Sequence, residues 1–182
     1  MKRIIYLLPM GEIEQIILKE IEQKVKLAFN LDTCLLTPIP NPEYAYEHRR
    51  EQYFSSRILE QLTKLIPNDG LKILGVTDVD LATPVLTFVF GEAQLNGCAA
   101  VISIKRLRQE FYSLLANQQI LLERASKEAI HELGHTFGLL HCDEKECVMH
   151  FSANITGIDR KELNFCSSCL SVLIQNCKDL ND

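Results

Sequence analysis

Residues 131–141 are HELGHTFGLLH, which is the pattern H-E-x-x-H-x-x-G-x-x-H. An α-helix makes a turn every 3.6 residues, so His131 and His135 lie on one helix face and both imidazoles can reach the same ion. On a continuing helix, His141 would be rotated by about 240° from His135. The helix must therefore end between them, and Gly138 accepts the left-handed backbone of a helix terminus. The spacing predicts a helix, a glycine turn and a return of the chain to the metal.

Three histidines and one glutamate in this pattern predict a catalytic zinc site. The neutral imidazoles of His131, His135 and His141 leave one position of a tetrahedral Zn²⁺ open for water. Glu132 cannot easily bind the same ion from its place on the helix, but it is suited to hold that water and take its proton. The metal lowers the pKa of the water towards about 7, which permits attack on a carbonyl at neutral pH. We therefore expect Glu132 to be the catalytic base.

Four cysteines after this motif predict a second zinc site. They are Cys142, Cys147, Cys166 and Cys169, with the spacing C-x4-C-x18-C-x2-C. Four thiolates form a closed tetrahedral site without room for water, so this zinc would be structural and would hold the irregular tail in place. Buried free thiols, or a redox pair at Cys166 and Cys169, are the alternatives, but a redox pair needs a thioredoxin-like βαβ context. We expect two zinc ions per chain, one catalytic and one structural.

Other residues of metal-binding type are predicted to have ordinary roles. Glu128, about one turn before His131, is expected on a solvated helix face. The remaining cysteines and histidines are expected to serve the core, the surface or local packing. They are Cys34, Cys98, Cys177, His48 and His150.

Composition places the chain among ordinary globular proteins. Of its 182 residues, 47% are hydrophobic and 24% are charged, and no apolar run approaches the roughly 20 residues that span a bilayer. The net charge of −5 argues against a general partner of nucleic acids or anionic membranes. The apolar run at residues 4–8 stops at Pro9 without a small-x-small cleavage site. We therefore predict a first strand there and a cytoplasmic protein.

Hydrophobic patterning predicts an α/β fold. Short β-favouring runs indicate strands, and apolar spacings of three and four indicate helices. Strands are predicted at residues 4–8, 33–36, 71–76, 86–90 and 99–104. Helices are predicted at residues 12–29, 55–65 and 118–137, and from about residue 170. Residues 106–117 are ambiguous, and the order β-α-β-α-β-β-β favours a mixed sheet backed by helices.

The chain resembles the archaemetzincins, a family of metzincin metallopeptidases. The zinc motif, followed directly by the cysteine pattern with Met149 two residues after Cys147, is similar to that family's signature. Upstream segments are similar too. They are REQYFS at residues 50–55, GVTDVDL at 75–81 and FVFGEA at 88–93. The resemblance covers about residues 40–170, and the metal motifs are its most specific part.

This resemblance implies a metzincin fold, an α/β architecture of the α+β type with two lobes. The upper lobe, residues 1–138, would hold a twisted mixed sheet, backing helices and the active-site helix. The lower lobe, residues 139–182, would be small, irregular and Cys-rich, and would end in a helix. Met149 would lie in a Met-turn beneath the catalytic metal, and residues 86–90 would be the edge strand to which a peptide adds. Some metzincins carry a tyrosine ligand two residues after this methionine, but here the residue is Phe151, which cannot bind metal.

We therefore predict a zinc-dependent metallopeptidase whose residues 1–182 form one catalytic domain. The resemblance implies peptide hydrolysis, with aminopeptidase-like cleavage as one form, and a peptide or protein substrate. We expect a cytoplasmic monomer that binds neither nucleic acid nor membrane. Two alternatives are open: a zinc enzyme that hydrolyses other amides or esters, and a zinc-stabilised peptide-binding protein with little activity. Glu132 argues against the second, because a purely structural site needs no base.

Overall fold

A computed structural model describes residues 4–179 and contains two β-sheets. The strands are β1 (Ile4–Met10), β2 (Asp32–Leu35), β3 (Tyr46–Glu47), β4 (Gln52–Phe54), β5 (Gly70–Thr77), β6 (Leu81–Ala82), β7 (Gly91–Ala93) and β8 (Ala99–Ser103). The main sheet has the order β2-β1-β5-β8-β7. Its first four strands run parallel, and β7 is antiparallel to β8. The predicted mixed sheet is confirmed.

Helices cover both faces of the main sheet. They are α1 (Gln15–Phe29), α2 (Ser55–Leu65) and α3 (Gln118–Thr136). Successive strand side chains point to opposite faces, so Leu74 of β5 packs in one core cluster with α1 and α3, while Ile73 packs in another with α2. The predicted amphipathic helices are confirmed, because Ile21 of α1 and Leu62 of α2 are fully buried. Within residues 4–179, no helix combines the length and the apolar character needed to cross a bilayer.

Short elements fill the regions that hydrophobic patterning leaves open. The second sheet has the order β3-β4-β6, and its strands are two or three residues long. Strands of that length carry too few residues for a period of two to be visible in the sequence. The ambiguous region of residues 106–117 forms 3₁₀ turns at Lys105–Leu107 and Gln109–Tyr112.

The prediction of a strand at residues 86–90 is wrong. The edge strand of the main sheet is β7, which begins only at Gly91. Upstream of it, the guanidinium of Arg50 donates hydrogen bonds to the carbonyl oxygens of Thr83 and Leu86, at 2.7 and 2.6 Å. A side chain therefore satisfies backbone groups that would otherwise pair with a strand.

The chain beyond Gly138 packs beneath α3 and carries two helices. They are α4 (Ile155–Arg160) and α5 (Ser167–Asp179). Val148, Ile158 and Leu173 from this part of the chain join the same core cluster as α1 and α3. A C-terminal helix was expected from about residue 170, and it begins three residues earlier at Ser167.

The prediction that Glu128 lies on a solvated helix face is wrong. Its carboxylate accepts a hydrogen bond from Lys161 Nζ at 2.9 Å, and the two side chains are 4% and 0% exposed. Arg124, about one turn earlier on α3, forms a second ion pair with Asp159 at 2.7 Å. Buried charges need such partners to offset their lost hydration. The two pairs fasten α3 to the chain around α4.

Candidate metal centres

The three motif histidines converge at the C-terminal end of α3. His131 and His135 are one helical turn apart, and their Nε2 atoms are separated by 3.2 Å. The ring of His141 lies 5.4 Å from the ring of His131 and 4.9 Å from that of His135, measured between centroids. The three ring nitrogens that face one another lie within 4.8 Å. The structure therefore brings together the histidines that the spacing predicts.

Gly138 ends α3 in the way that its place in the motif predicts. Its φ is +86°, in the left-handed region that glycine tolerates best. The backbone N–H of Gly138 donates to the carbonyl of His135 at 2.9 Å, which closes the last turn of the helix. A Cβ at this position would collide with the side-chain oxygen of Asn96 and lie 2.9 Å from Nδ2 of Asn176. Both the positive φ of Gly138 and the lack of space for a Cβ therefore favour glycine at this position.

Replacing Gly138 by valine is expected to loosen the histidine site more than the fold. A side chain in the left-handed region costs about 1–2 kcal/mol, and the collision with Asn96 displaces the turn that returns His141. We expect zinc affinity at the histidines to fall, with a smaller fall in melting temperature. Competition with a chelator and thermal unfolding measure the two effects, and Gly157→Ala in α4 is the control. A Gly138→Val protein that binds two zinc ions with wild-type affinity would contradict the role of this turn.

Backbone carbonyl groups set the tautomer of two of the rings. Nδ1 of His131 donates to the carbonyl oxygen of Val148 at 2.8 Å, and Nδ1 of His135 donates to that of Leu139 at 2.7 Å. The proton then resides on Nδ1, so the Nε2 lone pairs point into the site. Burial lowers the pKa of His131 well below its usual value, and burial also lowers those of His135 and His141. The rings are therefore held as neutral imidazoles, the form that binds metal.

The geometry of the histidine cluster fits zinc. Tetrahedral zinc with Zn–N bonds of about 2.0–2.1 Å places its nitrogen ligands about 3.3 Å apart. The measured separation between Nε2 of His131 and Nε2 of His135 is 3.2 Å. Three neutral nitrogen donors match a catalytic rather than a structural zinc, because they leave one position of a tetrahedral ion for water.

Glu132 follows His131 on α3, and its side chain is almost fully enclosed. Glu132 is 6% exposed, and within residues 4–179 no hydrogen bond to its carboxylate is formed. Burial raises its pKa well above the usual value, and the Glu128 carboxylate raises it further. Gly91 of β7 lies directly against it. Packing therefore holds this carboxylate in place.

Met149 and Phe151 border the histidine site from the lower part of the chain. Met149 is fully buried. Its sulfur would lie 2.5 Å from a Cβ placed on Gly134, the helix residue that lies between His131 and His135 in the sequence. The Met149 side chain thus packs directly under the motif helix. Phe151 is 55% exposed, and its ring lies 5.1 Å from that of His141. An apolar ring, which cannot bind metal, therefore borders the site at this position.

The four predicted cysteines form the second cluster. Their sulfur atoms lie within 4.8 Å of one another, and those of Cys142 and Cys166 are 3.7 Å apart. Tetrahedral zinc with Zn–S bonds of about 2.3 Å separates its sulfur ligands by about 3.8 Å. The backbone N–H of Cys166 donates to the sulfur of Cys147 at 3.3 Å, and the backbone N–H of Cys169 lowers the pKa of Cys166. Burial and the neighbouring thiols raise the pKa of Cys169. This geometry suits a closed thiolate site.

The remaining candidates lie outside both clusters, as expected. Among residues 4–179, the metal-binding groups contain only the three histidines and four cysteines. His150 hydrogen-bonds to the carbonyl of Cys142 at 2.8 Å, and the ring of His48 packs edge-on against that of Tyr46. Cys34 is exposed, and Cys98 and Cys177 are half-buried.

Two lysines near the motif helix were missed by the sequence reasoning. Lys72 of β5 donates hydrogen bonds to the carbonyl oxygens of Gly97 and Thr136, both at 2.7 Å, and so holds the end of α3. A lysine within the apolar run LKILGV was a signal that it has a buried partner. Lys161 carries no comparable signal, because it lies in a polar stretch and pairs with Glu128, 33 residues earlier.

Known proteins share both the sequence and the fold. Residues 10–175 match the model of peptidase family M54. The archaemetzincin of Methanocaldococcus jannaschii is 45% identical over 166 residues, which are 91% of this chain and 89% of that protein. The archaemetzincin of Pyrococcus furiosus is 38% identical over 180 residues, which are 95% and 93% of the two chains.

Solved structures give the same result. The crystal structure of archaemetzincin from Methanopyrus kandleri has a TM-score of 0.84 and 36% identity, and covers 97% of this chain and 96% of that one. A zinc-dependent peptidase from Methanocorpusculum labreanum has a TM-score of 0.86 and 29% identity, with 93% and 99% covered. The fold class and the resemblance are thereby confirmed. The chain belongs to peptidase family M54, the archaemetzincins, and is a zinc metallopeptidase.

Proposed function

We propose that this chain hydrolyses peptide bonds at a zinc ion held by His131, His135 and His141, with Glu132 as the general base. The observation that carries the proposal is the convergence of three neutral imidazoles, together with a buried carboxylate on the residue that follows His131, to which no protein group in residues 4–179 donates a hydrogen bond. A structural zinc site needs no such carboxylate. A hydrolase needs one within reach of the attacking water.

The residues of the proposed zinc site have different roles in hydrolysis. A zinc ion held by His131, His135 and His141 would lower the pKa of a coordinated water to about 7 and would polarise the substrate carbonyl. Glu132 takes a proton from the attacking water and delivers it to the leaving amine. Val148 and Leu139 hold the rings of His131 and His135 through their carbonyl groups.

Strand β7 supports a peptide as the substrate. In the main sheet as described, β7 is the last strand and one of its edges has no partner strand. The carbonyl of Phe90 and the N–H of Gln94 are bonded to β8. Because backbone groups alternate along a strand, those of Gly91 and Ala93 point outward. An extended peptide that pairs with this edge lies beside Glu132.

The four cysteines serve a different purpose in this account. Cys142, Cys147, Cys166 and Cys169 hold a second, structural zinc, which makes two ions per chain. We propose one catalytic domain over residues 1–182, with an upper part at 1–138 and a lower part at 139–182. The shared core cluster supports a single domain, because it takes Val148 and Leu173 from the lower part.

The cellular location, the oligomeric state and the partners of the enzyme are also part of the proposal. With a net charge of −5, the protein has no general attraction to nucleic acids or anionic lipids. We propose a cytoplasmic monomer whose partners are its peptide substrates.

Digestion of a mixed peptide library, followed by mass spectrometry, tests this function. We expect zinc-loaded protein to generate new peptide ends, and chelation to abolish them. N-acetylated copies of the peptides distinguish aminopeptidase-like cleavage, which requires a free amine, from internal cleavage. A parallel panel of esters and non-peptide amides tests the other zinc hydrolases. Hydrolysis of that panel without cleavage of any peptide would contradict the proposal.

A further inference from the structure

Gly91 lies where the side chain of Glu132 needs space. A Cβ at position 91 would lie 2.6 Å from Cγ of Glu132 and 2.8 Å from its Oε1. It would also lie 2.7 Å from the carbonyl oxygen of Val101 in β8. Distances this short are repulsive for carbon and oxygen atoms that are not bonded. The Glu132 side chain thus occupies the volume that any other residue at position 91 would need.

The backbone torsion at Gly91 does not account for the glycine. In the described chain, the glycines with positive φ are Gly11 and Gly138. Gly91 is an ordinary strand residue that pairs with Ile102. Glycine weakens a strand interior because it has no side chain to pack and costs more conformational entropy. A strand glycine without a torsional requirement indicates that another group approaches the backbone closely.

The backbone at Gly91 is held firmly enough to act as a support. On one side, Ser103 N–H donates to the carbonyl of Phe90 at 2.8 Å. On the other, the carboxylate of Glu92 accepts a hydrogen bond from the Ser55 hydroxyl at the start of α2. Pairing with β8 and this contact with α2 fix the strand from both neighbours. The carboxylate of Glu132, in contrast, forms no hydrogen bond with any group within residues 4–179. The position of its carboxylate therefore depends on the surface against which it packs.

We propose that Gly91 is a positioning residue for Glu132. Because Gly91 has no Cβ, the Glu132 side chain packs directly against the backbone of β7, and we call this contact surface at Gly91 the seat. This inference rests on the proposed role of Glu132 as base. The same strand offers its outward backbone groups to the peptide. One strand thus sets the position of the substrate backbone and of the base relative to each other, and a displacement of about 1 Å in such a geometry costs about 10²-fold in rate.

Gly91→Ala tests the seat directly. We expect kcat for the best-cleaved library peptide to fall about 10- to 100-fold, with KM nearly unchanged and both zinc ions retained. Gly75→Ala is the matched control, because its Cβ would lie 2.7 Å from Met10 Cε on the opposite face of the sheet. It should lower the melting temperature and leave kcat unchanged. An unchanged kcat in Gly91→Ala would overturn the proposal, as would an equal loss of kcat in the two variants.

A double-mutant cycle on stability tests the seat without any activity. Two of the three atoms nearest to a Cβ at position 91 belong to the Glu132 side chain, and the third is the Val101 carbonyl oxygen, so removing that side chain relieves most of the closest contacts. We expect Gly91→Ala to lower the melting temperature less in a Glu132→Ala background than in the wild type. If Gly91→Ala does not fold, folding of the double variant supports the seat. Equal losses in both backgrounds, or two unfolded variants, overturn it. If the cycle shows coupling but Glu132→Ala keeps its activity, the proposed function fails instead.

Discussion

Replacing Glu132 by alanine is expected to abolish peptide hydrolysis while both zinc ions remain bound. The imidazoles of His131 and His135 do not depend on Glu132, because their ring orientations are set by the carbonyl groups of Val148 and Leu139. Removal of a general base costs about 10²–10⁴ in rate. We expect a nearly unchanged melting temperature, because no hydrogen bond to this carboxylate is lost within residues 4–179. Steady-state kinetics, zinc analysis and thermal unfolding measure the three quantities.

Glu123→Ala is the matched control for this prediction. Glu123 lies on the same helix, but it is exposed and hydrogen-bonds to Gln119 on the surface. This variant should keep the wild-type rate. Equal activity of the wild type and Glu132→Ala, against every substrate found, would remove Glu132 from the mechanism.

Replacing Cys166 by serine is expected to release one zinc ion and to destabilise the fold strongly. The sulfur of Cys166 lies 3.7 Å from that of Cys142, and the Cys166 backbone N–H donates to the sulfur of Cys147, so its loss opens the cluster. Structural zinc contributes about 10–16 kcal/mol of binding energy to folding in small zinc domains. The core cluster shared with α3 supports the lower part of the chain, so we expect a large fall in melting temperature rather than complete unfolding.

Cys34→Ser is the control for that variant. Cys34 is exposed and lies outside both metal-binding groups, so its substitution should leave two zinc ions and the melting temperature unchanged. A Cys166→Ser protein that binds two zinc ions with wild-type stability would show that the four cysteines do not form a structural site.

Local sequence patterns predicted the helices and the grouping of the motif histidines well, because each depends on residues that are close in the chain. The positions of His131 and His135 follow from the pitch of one helix, and the left-handed torsion of Gly138 belongs to the turn that ends this helix. The apolar faces of α1 and α2 follow from periodicity over 11–15 residues.

Features that depend on distant partners could not be predicted in this way. The run at residues 86–90 favours a strand by composition, but Arg50 binds its carbonyl groups from 36 residues away. Glu128 is charged and sits on a helix, which favours exposure, yet Lys161 pairs with it in the interior. The contact between Gly91 and Glu132 joins residues 41 positions apart, and nothing local marks this glycine as a support.

Zinc-edge anomalous diffraction from crystals of the zinc-loaded wild-type protein tests the central claim most directly. The account predicts two anomalous peaks per chain. One should lie about 2.0–2.1 Å from a ring nitrogen of each of His131, His135 and His141, and the other about 2.3 Å from the four cysteine sulfur atoms. A single peak, or no peak among the three histidines, would contradict the account of one catalytic and one structural zinc.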